Sequence, residues 1–359
     1  LSFALFAKQN GYDVHIAANG DDASVQIIRD SGLKFHNIAF KRSSTNIFVE
    51  SWTILKLIKL YISLRPDIVH HVTIKPIVYG SIAARVTSIP FVVNAISGLG
   101  FVFIKTGFFA SLRKNLISLF YKYMFKRNNV RVIFQNPDER NMLLEHNIVS
   151  EAHSFLIKGA GVDLDKFSPR FDLKEDIPSV VLSARMIWDK GIKEYVNAAI
   201  ILRKRGVKAK FILVGAIDYD YPRYVEEKFL KEWSQQGIIS WLGYRDNINE
   251  IYQKSSIVCM PSFYSEGIPK SLIEAAACGK PIVTTNMPGC REIVKNNFNG
   301  ILVNPKDEIS LANALEVLIN DSDLRIKYGT NGRRMAEEEY GVDKINKMTL
   351  SVYTDSNSD

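Results

Sequence analysis

The sequence is poor in cysteine and lacks paired metal-ligand motifs. Its three cysteines, Cys259, Cys278 and Cys290, form no CxxC pair and cannot all be bridged. This excludes a disulfide-stapled domain and predicts a reducing, cytoplasmic environment. The six histidines show no HExxH-type spacing, so the sequence predicts no metal site built by the protein and no cofactor.

Internal repeats and low-complexity tracts are also missing. The composition, 47% hydrophobic and 23% charged, is that of ordinary globular protein rather than a disordered or fibrous chain. A length of 359 residues exceeds one typical core and predicts two domains.

Carboxylates are absent from residues 68–137, which contain nine basic side chains. Residues 1–172 hold 21 Lys and Arg against 13 Asp and Glu, whereas residues 173–359 hold 25 of each. The net charge of +8 therefore belongs to the first half of the chain. A general role in solubility would not require that asymmetry.

One uncharged run of nineteen residues separates Arg85 from Lys105, close to the length of a membrane-spanning helix. It contains Pro90, Gly98 and Gly100, which favour a buried strand followed by a turn. The chain begins on residues that fit the back of an amphipathic helix, whereas a parallel α/β fold normally begins with a strand. We therefore expect the natural N-terminus to lie upstream.

Short apolar runs alternate with longer helix-like stretches, as is typical of βαβ units and a parallel sheet. The predicted strands are Asp13–Ala18, Ile68–His71, Phe91–Ala95, Val130–Phe134, Ser179–Ser183, Lys210–Val214, Ile257–Pro261 and Pro281–Thr285. A polar, turn-rich segment over residues 159–178 predicts a boundary between residues 1–168 and 172–335. Residues 336–359 form a last helical stretch that could extend the second domain or cross back to the first. The fold class expected is α/β, with two doubly wound domains and ligands in the cleft between them.

A helix in the second half is predicted to bind an anion at its N-terminus. Pro269 suits the first helical position, and Gly279 and Pro281 end the helix. The unpaired N–H groups at its start favour a phosphate or diphosphate. Gly267 lets the backbone approach such an anion closely.

Two glutamates flank this anion site. Glu274, inside the helix, can accept two hydrogen bonds from the vicinal diol of a ribose, while Glu266 precedes the helix where a group on the far phosphate would lie. The stretch therefore predicts a cradle for a nucleotide-diphosphate sugar. The plainer alternative makes Glu266 a loop carboxylate and Glu274 a partner of the helix dipole, each contributing roughly a few tenths of a kcal/mol.

A second pair of candidates follows the strand Ser179–Ser183. Arg185 at the strand end and Lys190 five residues on can bring two cations to one diphosphate. Neutralising that leaving group is the main demand of glycosyl transfer from a nucleotide sugar. The alternative is that both are ordinary surface bases.

Taken together, these residues resemble the family 4 glycosyltransferases of the GT-B fold. Residues 266–274 fit that family's E-x7-E motif, and ARMIWDKG (184–191) is similar to its G-R-x-x-x-x-K-G segment, with Ala184 in place of glycine. Further blocks similar to its donor domain are FILVG (211–215), WLGYRDN (241–247), MPGCREIV (287–294) and NGILVNPKD (299–307).

The resemblance implies a retaining transfer of a sugar from a nucleotide diphosphate, with no metal held by acidic residues and no protein nucleophile. Glu266 would contact the donor sugar, Arg185 and Lys190 would hold the diphosphate, and Glu274 would bind the ribose. The other donor-binding residues that it implies are Gly267, Ile268, Pro269, Lys270, Gly215, Tyr244 and Arg245.

Residues 70–85 and 92–103 resemble the branch that extends polyprenyl-diphosphate-linked sugars, which implies a UDP-sugar donor, with N-acetylhexosamine as the expected sugar. Two features depart from the family pattern: Ser97 stands where many members carry histidine, and the usual first strand with its glycine-bearing loop is absent. The acceptor-site candidates are Lys75, His71, Ser97, Gly98 and Gly100.

Residues 101–131 mix aromatic and basic side chains, as an interfacial helix on anionic lipid does. We therefore expect a peripheral protein on the inner face of the cytoplasmic membrane; a core-facing helix with solvated lysines is the alternative. The competing functions are a UDP-sugar epimerase of the same fold, a glycosyltransferase with a soluble acceptor, and a nucleic-acid binder, which the pI of 9.1 allows. The neutral second half argues against nucleic acid.

Overall fold

The computed structural model of the chain describes residues 1–40, 47–98, 118–170, 176–264 and 267–355. The chain forms two compact units. Unit 1 comprises Leu1–Ile157 together with Asp343–Asp359, and unit 2 comprises Lys158–Val342. The first domain expected from the sequence ended at residue 168. Unit 1 instead ends at Ile157, and a second segment that begins at Asp343 also belongs to it.

Unit 1 is built on parallel strands. They are β1 (His15–Ala18), β2 (Lys34–Asn37), β3 (Ile68–Val72), β4 (Phe91–Ile96), β5 (Val130–Phe134) and β6 (Ser154–Leu156). Strands β1 and β2 pair with each other, and β3 to β6 form a four-stranded sheet in chain order. The helices of unit 1 are α1 (Ser2–Gln9), α2 (Asp22–Asp30), α3 (Ile47–Leu64), α4 (Ile74–Val86), α5 (Pro137–Glu145) and α13 (Val342–Thr354), and residues 118–125 are also helical.

Strand β4 lies in the middle of this sheet and is buried along its whole length. Its near-continuous apolar sequence is what a parallel strand covered on both faces requires. One face packs against α3, α4 and residues 118–125, and the other against α13. The first part of the long uncharged run is therefore a strand, as predicted. Of the helices that the structure describes, none is long and apolar enough to cross a membrane.

Unit 2 contains one six-stranded parallel sheet. Its strands are β7 (Ser179–Ser183), β8 (Lys210–Val214), β9 (Ser240–Trp241), β10 (Ile257–Met260), β11 (Ile282–Thr285) and β12 (Gly300–Val303). Its helices are α6 (Ile192–Lys204), α7 (Glu227–Gln235), α8 (Ile248–Lys254), α9 (Lys270–Ala277), α10 (Cys290–Ile293), α11 (Glu308–Asn320) and α12 (Ser322–Met335). The parallel α/β class predicted from the alternation is confirmed.

The strand order in unit 2 is β12-β11-β10-β7-β8-β9. The chain moves outward from β7 through β8 and β9, then returns to the other side of β7 at β10. Such a reversal leaves a crevice at the carboxyl ends of the two strands on either side of it. The loops that follow β7 and β10 carry Arg185, Lys190 and the start of α9, so the sheet topology brings the predicted donor residues to one place.

Candidate functional site

The loop after β7 is held against the neighbouring strand by its own backbone. The N–H of Ala184 donates to the carbonyl of Val214 at 3.0 Å, and the N–H of Met186 donates to that of Ala216 at 2.9 Å. A 3₁₀ turn, Trp188–Lys190, then leads through Gly191 (φ 76°) into α6. A Cβ on Gly191 would lie 2.1 Å from the carbonyl oxygen of Pro261. The absence of a side chain at this position therefore lets the loops after β7 and β10 touch.

Asp189 ties the 3₁₀ turn to its surroundings. It is fully buried; its carboxylate accepts a hydrogen bond from the hydroxyl of Tyr221 at 2.8 Å and lies 3.0 Å from Nη1 of Arg223. Its main-chain carbonyl accepts from the N–H of Phe263, in the loop after β10, at 3.1 Å. Asp189 therefore fixes the segment between Arg185 and Lys190. Apart from an acidic residue beside the predicted lysine, no local sequence pattern indicates this role.

The two predicted cations occupy different environments. Lys190 is buried, and its ammonium lies 5.7 Å from the ring centre of Tyr264. Arg185 is partly exposed and forms an ion pair with Asp218, and its guanidinium carbon lies 5.8 Å from the ring centre of Tyr221. An incoming diphosphate would have to compete with Asp218 for the guanidinium of Arg185, whereas Lys190 sits in a position fixed by its neighbours.

The helix after β10 begins one residue later than the sequence predicted. Pro269 is the N-cap and Lys270 is the first helical residue. The proline therefore restricts the backbone just before the helix and is not part of the first turn. The carbonyl of Pro269 accepts from the N–H groups of Leu272 and Ile273 at 3.1 and 3.3 Å. The N–H groups that precede these two have no place in the intrahelical ladder and face the N-terminal end of α9, which favours an anion there.

The C-terminal end of α9 also differs by one residue from the prediction. Cys278 is the C-cap, and Gly279 follows it with φ at 67°. The N–H of Lys280 donates to the carbonyl of Ala275 at 3.0 Å, and that of Gly279 donates to Ala276 at 2.9 Å. This pair of bonds is a Schellman motif, which explains why the helix stops at this glycine.

Glu274 lies on α9 and is buried, with 9% of its surface exposed. Its Oε1 is 3.4 Å from the ammonium of Lys270, one turn earlier. Burial raises the pKa of the Glu274 carboxyl above its ordinary value, while Lys270 and Lys166 oppose the rise. The contact with Lys270 uses one carboxylate oxygen, and a carboxylate has about four acceptor positions, so acceptor capacity remains for the two hydroxyls of a diol.

The remaining predicted residues around α9 are only partly described. Gly267 and Ile268 are buried beside the start of the helix, and the backbone of Lys270 opens it while its side chain is exposed. Glu266 lies outside the described residues, so its contact with the donor sugar stays a prediction.

Gly215 directly follows β8 and connects this edge of the crevice to β9 and the segment after it through two hydrogen bonds. Its N–H donates to the carbonyl of Gly243 at 2.8 Å, and its carbonyl accepts from the indole of Trp241 at 3.0 Å. Tyr244 and Arg245 follow Gly243 and are both exposed. The structure therefore brings Gly215 next to the loop after β7, while the side chains of Tyr244 and Arg245 lie on the surface.

We expect Gly215→Ala to lower the free energy of unfolding by about 2–4 kcal/mol. Gly215 has φ at 144°, and an added Cβ would lie 1.8 Å from the carbonyl oxygen of Ala184. Gly206→Ala is the matched control, because Gly206 has φ at 75° but nothing within 4 Å of the added atom, so that only the strain of about 1 kcal/mol remains. Urea unfolding of both variants measures the difference; equal losses would show that the contact with the β7 loop is not tight.

The acceptor candidates of unit 1 gather partly at the carboxyl edge of its sheet. Lys75 lies in the first turn of α4, and its ammonium is 2.8 Å from Oε1 of Glu50 in α3. Ser97 and Gly98 follow β4, the strand next to β3. Gly100 lies outside the described residues. Thr73, which no sequence motif indicates, is the N-cap of α4 and has φ at 73°, a strained backbone of the kind that occurs at binding loops.

His71 is placed in the core of unit 1 rather than on an open surface. Its Nε2 lies 2.9 Å from the hydroxyl of Tyr61, and its Nδ1 lies 2.8 Å from Oδ1 of Asn94. The ring leaves no space at Gly80, where a Cβ would come within 2.3 Å of it. A neutral ring that donates from Nδ1 to Asn94 and accepts from Tyr61 satisfies both nitrogens. This indicates a structural role for His71.

We expect unit 1 to lose stability as the pH falls from 6.5 toward 4. Burial lowers the pKa of His70 and that of His71 to about 4, so between these values the unfolded chain binds protons that the folded chain does not. Stability is therefore full above the ordinary histidine pKa and falls below it, by about 1 kcal/mol per pH unit for each histidine. Urea unfolding between pH 7.5 and 4.5 should show this slope reduced in His71→Gln and unchanged in His146→Gln, which alters an exposed histidine. An identical slope in His71→Gln would exclude a contribution from His71.

Metal ligation was not expected from the sequence. Across the ranges that the structure describes, no group of three or more His, Cys, Asp or Glu side chains could hold a metal ion. The absence of a cofactor requirement stays a prediction.

Two family models match the chain. The model described as glycosyl transferases group 1 matches residues 163–335, and the model described as glycosyl transferase 4-like matches residues 1–136. The first contains the loops after β7 and β10, and the second contains α3, β3, α4 and β4.

The chain is also similar to characterised proteins along most of its length. It is 32% identical to the N,N'-diacetylbacillosaminyl-diphospho-undecaprenol alpha-1,3-N-acetylgalactosaminyltransferase of Campylobacter jejuni, over 92% of this chain and 88% of that protein. It is 27% identical to the UDP-Gal:alpha-D-GlcNAc-diphosphoundecaprenol alpha-1,3-galactosyltransferase of Escherichia coli, over 76% of this chain and 72% of that protein.

Solved structures share the fold. A glycosyltransferase from Rickettsia africae superposes with a TM-score of 0.79 at 20% identity, covering 100% of this chain and 94% of that one. HepE of Anabaena, solved in complex with UDP and glucose, superposes with a TM-score of 0.78 at 17% identity, covering 98% of this chain and 94% of that one. These neighbours are GT-B glycosyltransferases, which confirms the fold class expected from the sequence.

Proposed function

Because the chain belongs to the glycosyltransferase family whose group 1 and 4-like models match it, we propose that it moves a sugar from a UDP-sugar to a polyprenyl-diphosphate-linked saccharide. The sugar that we propose is an N-acetylhexosamine, and the product serves the assembly of a surface polysaccharide or other glycan. The family resemblance stated from the sequence motifs is confirmed; the donor, the acceptor and the transferred sugar are the proposal.

One observation carries the donor half of this proposal. Lys190, the start of α9 and Glu274 follow the two strands that flank the reversal of the unit 2 sheet. A cation and a helix N-terminus suit a diphosphate, and a carboxylate about one turn into the same helix suits the ribose next to it. A nucleoside diphosphate is the ligand class that has these groups in this order.

The acceptor half rests on the relatives and on charge. The two relatives named above act, by their names, on acceptors that carry a diphospho-undecaprenol group. The 4-like model matches residues 1–136, which contain all but the last residue of the basic stretch without carboxylates, residues 68–137. An excess of cations suits an anionic diphosphate acceptor and an anionic membrane surface.

The chemistry proposed is transfer with retention at the anomeric carbon. The bond between that carbon and the diphosphate oxygen breaks, and a bond to the acceptor hydroxyl oxygen forms on the same face. The departing β-phosphate takes up the hydroxyl proton, so no protein nucleophile is required. Lys190 and Arg185 stabilise the negative charge that develops on the leaving UDP, and Glu266 supports the positive charge that develops on the sugar. No metal is proposed, and activity in EDTA tests that.

The experiment that tests the function uses the full chain with a panel of UDP- and GDP-sugars and a short polyprenyl-diphosphate-linked saccharide. Mass spectrometry of the lipid fraction should show a gain of one N-acetylhexosamine with one UDP-sugar only. Conversion of the donor without a lipid product would favour the epimerase or a soluble acceptor, and would overturn the proposal. The coupling constant of the new anomeric proton then reports whether the configuration is retained.

Glu266→Gln and Glu274→Gln should separate the two ends of the donor. We expect Glu266→Gln to lower kcat by about 10²-fold with little change in UDP affinity, because it acts on the sugar in the transition state. Glu274→Gln should instead weaken the binding of UDP itself. If Glu266→Gln weakened UDP binding and left kcat unchanged, the direction assigned to the donor would be reversed.

A further inference from the structure

Helix α3 of unit 1 carries large apolar side chains on its solvent side. Trp52, Leu55 and Ile62 are 58%, 49% and 60% exposed, and Phe48, one turn before Trp52, is also largely exposed. The spacing of three, four and seven residues places them along one side of the helix. Soluble helices normally show polar residues there, so this side differs from an ordinary surface.

The orientation of α3 is fixed by its opposite side. Thr53, Leu57 and Tyr61 are buried, and the last two pack into the core with α4. Glu50 points toward α4 as well, where its carboxylate binds the ammonium of Lys75 and the hydroxyl of Tyr79. The packing of this side therefore holds the apolar residues of the other side outward. Rotating the helix to bury them would expose Leu57 and Tyr61 instead.

The two charged side chains exposed on the outward side of α3 are both positive. Lys56 and Lys59 are exposed between the apolar residues, and beyond the helix an exposed Arg65 is followed by an exposed Asp67. The one carboxylate of α3, that of Glu50, faces inward. We call Trp52, Leu55, Lys56, Lys59 and Ile62 the α3 face. Its apolar side chains with flanking lysines complement the acyl boundary and the anionic headgroups of a bilayer.

We propose that the α3 face docks unit 1 on an anionic lipid bilayer. The inference rests on the proposed function in that a polyprenyl-linked acceptor is held in such a bilayer, and it names the surface by which the enzyme reaches it. Trp52 and Leu55 enter the headgroup and acyl boundary, while Lys56 and Lys59 stay at the level of the lipid phosphates.

The basic aromatic stretch predicted from the sequence is less suited to this role where it is described. Of the helical residues 118–125, Tyr121, Met124 and Phe125 are buried in the core of unit 1. Their aromatic and sulfur-bearing side chains face the sheet, as in the core-facing alternative. Leu119 and Tyr123 remain exposed there, and Leu119 provides a comparison for the α3 face.

The test measures co-sedimentation of the full chain with vesicles of phosphatidylcholine containing phosphatidylglycerol and with vesicles of phosphatidylcholine alone. The W52E/L55E variant should bind the anionic vesicles at least about tenfold more weakly than the wild type. The K56Q/K59Q variant should lose about fivefold for each lysine, and this loss should shrink in high salt. The control, I309E/I326E, replaces two exposed apolar residues of unit 2 and should bind like the wild type.

UDP affinity and thermal unfolding of each variant show that the chain is folded, and gel filtration reports its oligomeric state. Vesicle binding by W52E/L55E equal to that of the wild type would overturn the proposal, as would loss of binding in Leu119→Glu alone. A wild-type dimer that W52E/L55E converts to a monomer would assign the face to a second copy and also overturn it. If the vesicles are bound through the α3 face but no lipid is glycosylated, the proposed function fails while the docking surface stands.

Discussion

Lys190→Met is expected to lower kcat/KM for the sugar donor by about 10²- to 10³-fold. Lys190 is held in the 3₁₀ turn that Asp189 fixes, beside the ring of Tyr264 and ahead of α6. Its ammonium is thus positioned before the substrate arrives, which is the condition under which a charge stabilises a leaving group most strongly. Methionine keeps the unbranched side chain and removes the charge, so the effect reports the charge rather than a cavity.

The matched control for this variant is Lys193→Met. Lys193 is exposed on the first turn of α6, three residues from Lys190, and its replacement should leave kcat/KM within about twofold, as for surface sites. Steady-state kinetics with the donor identified by mass spectrometry make the comparison. Equal activity of Lys190→Met and Lys193→Met would show that Lys190 does not bind the diphosphate, so that Arg185 and the N-terminus of α9 would be the remaining candidates.

Glu274→Gln is expected to weaken UDP binding by about 10- to 100-fold, because the amide replaces a charged acceptor of two hydrogen bonds. The wild type should bind UDP more tightly than 2′,3′-dideoxy-UDP, and the variant should bind both nucleotides about equally. Calorimetric titration of the four combinations measures this coupling directly.

This comparison of two proteins with two nucleotides needs a control, because Glu274 is buried and its side chain contacts Lys270. Glu250→Gln changes an exposed glutamate of α8 and should keep the preference for UDP over the dideoxy analogue. A Glu274→Gln chain that still prefers UDP by the wild-type factor would show that another group binds the ribose. A chain that loses both affinities equally would indicate a general effect on α9.

The strands that were predicted from sequence are those with a strong apolar pattern, and all eight exist in the structure. The strands that were missed, β2, β6, β9 and β12, carry weaker signals. Strand β2 reads KFHN and β9 has two residues, so neither shows an alternation long enough to recognise. Their pairing depends on neighbouring strands, which a local pattern does not contain.

The candidate site was predictable where its residues lie close to a helix end or a strand end. Glu274 lies in α9 and Pro269 is its N-cap, and each predicted end of this helix differs from the observed end by one residue. Asp189 and Tyr221 are brought together across 32 positions of sequence, and nothing local indicates that contact. The ion pair of Arg185 with Asp218 was hidden for the same reason.

The role of His71 and the orientation of α3 depend on which side chains are buried, and the sequence does not show this. His71 follows the pattern of a polar residue at a strand end, yet its ring is buried between Tyr61 and Asn94. Helix α3 is apolar on several sides, so its sequence alone does not tell which side meets the core. The inward ion pair of Glu50 with Lys75 answers that question, and it can be seen only in the folded unit.

The central claim is that the crevice at the ends of β7 and β10 is a nucleoside-diphosphate site. A diffraction map of crystals of the full chain soaked with UDP tests it most directly. The account predicts diphosphate density within hydrogen-bonding distance of Lys190 and the first N–H groups of α9, with both ribose hydroxyls on the carboxylate of Glu274. UDP bound elsewhere, or bound here with its ribose away from Glu274, would contradict it.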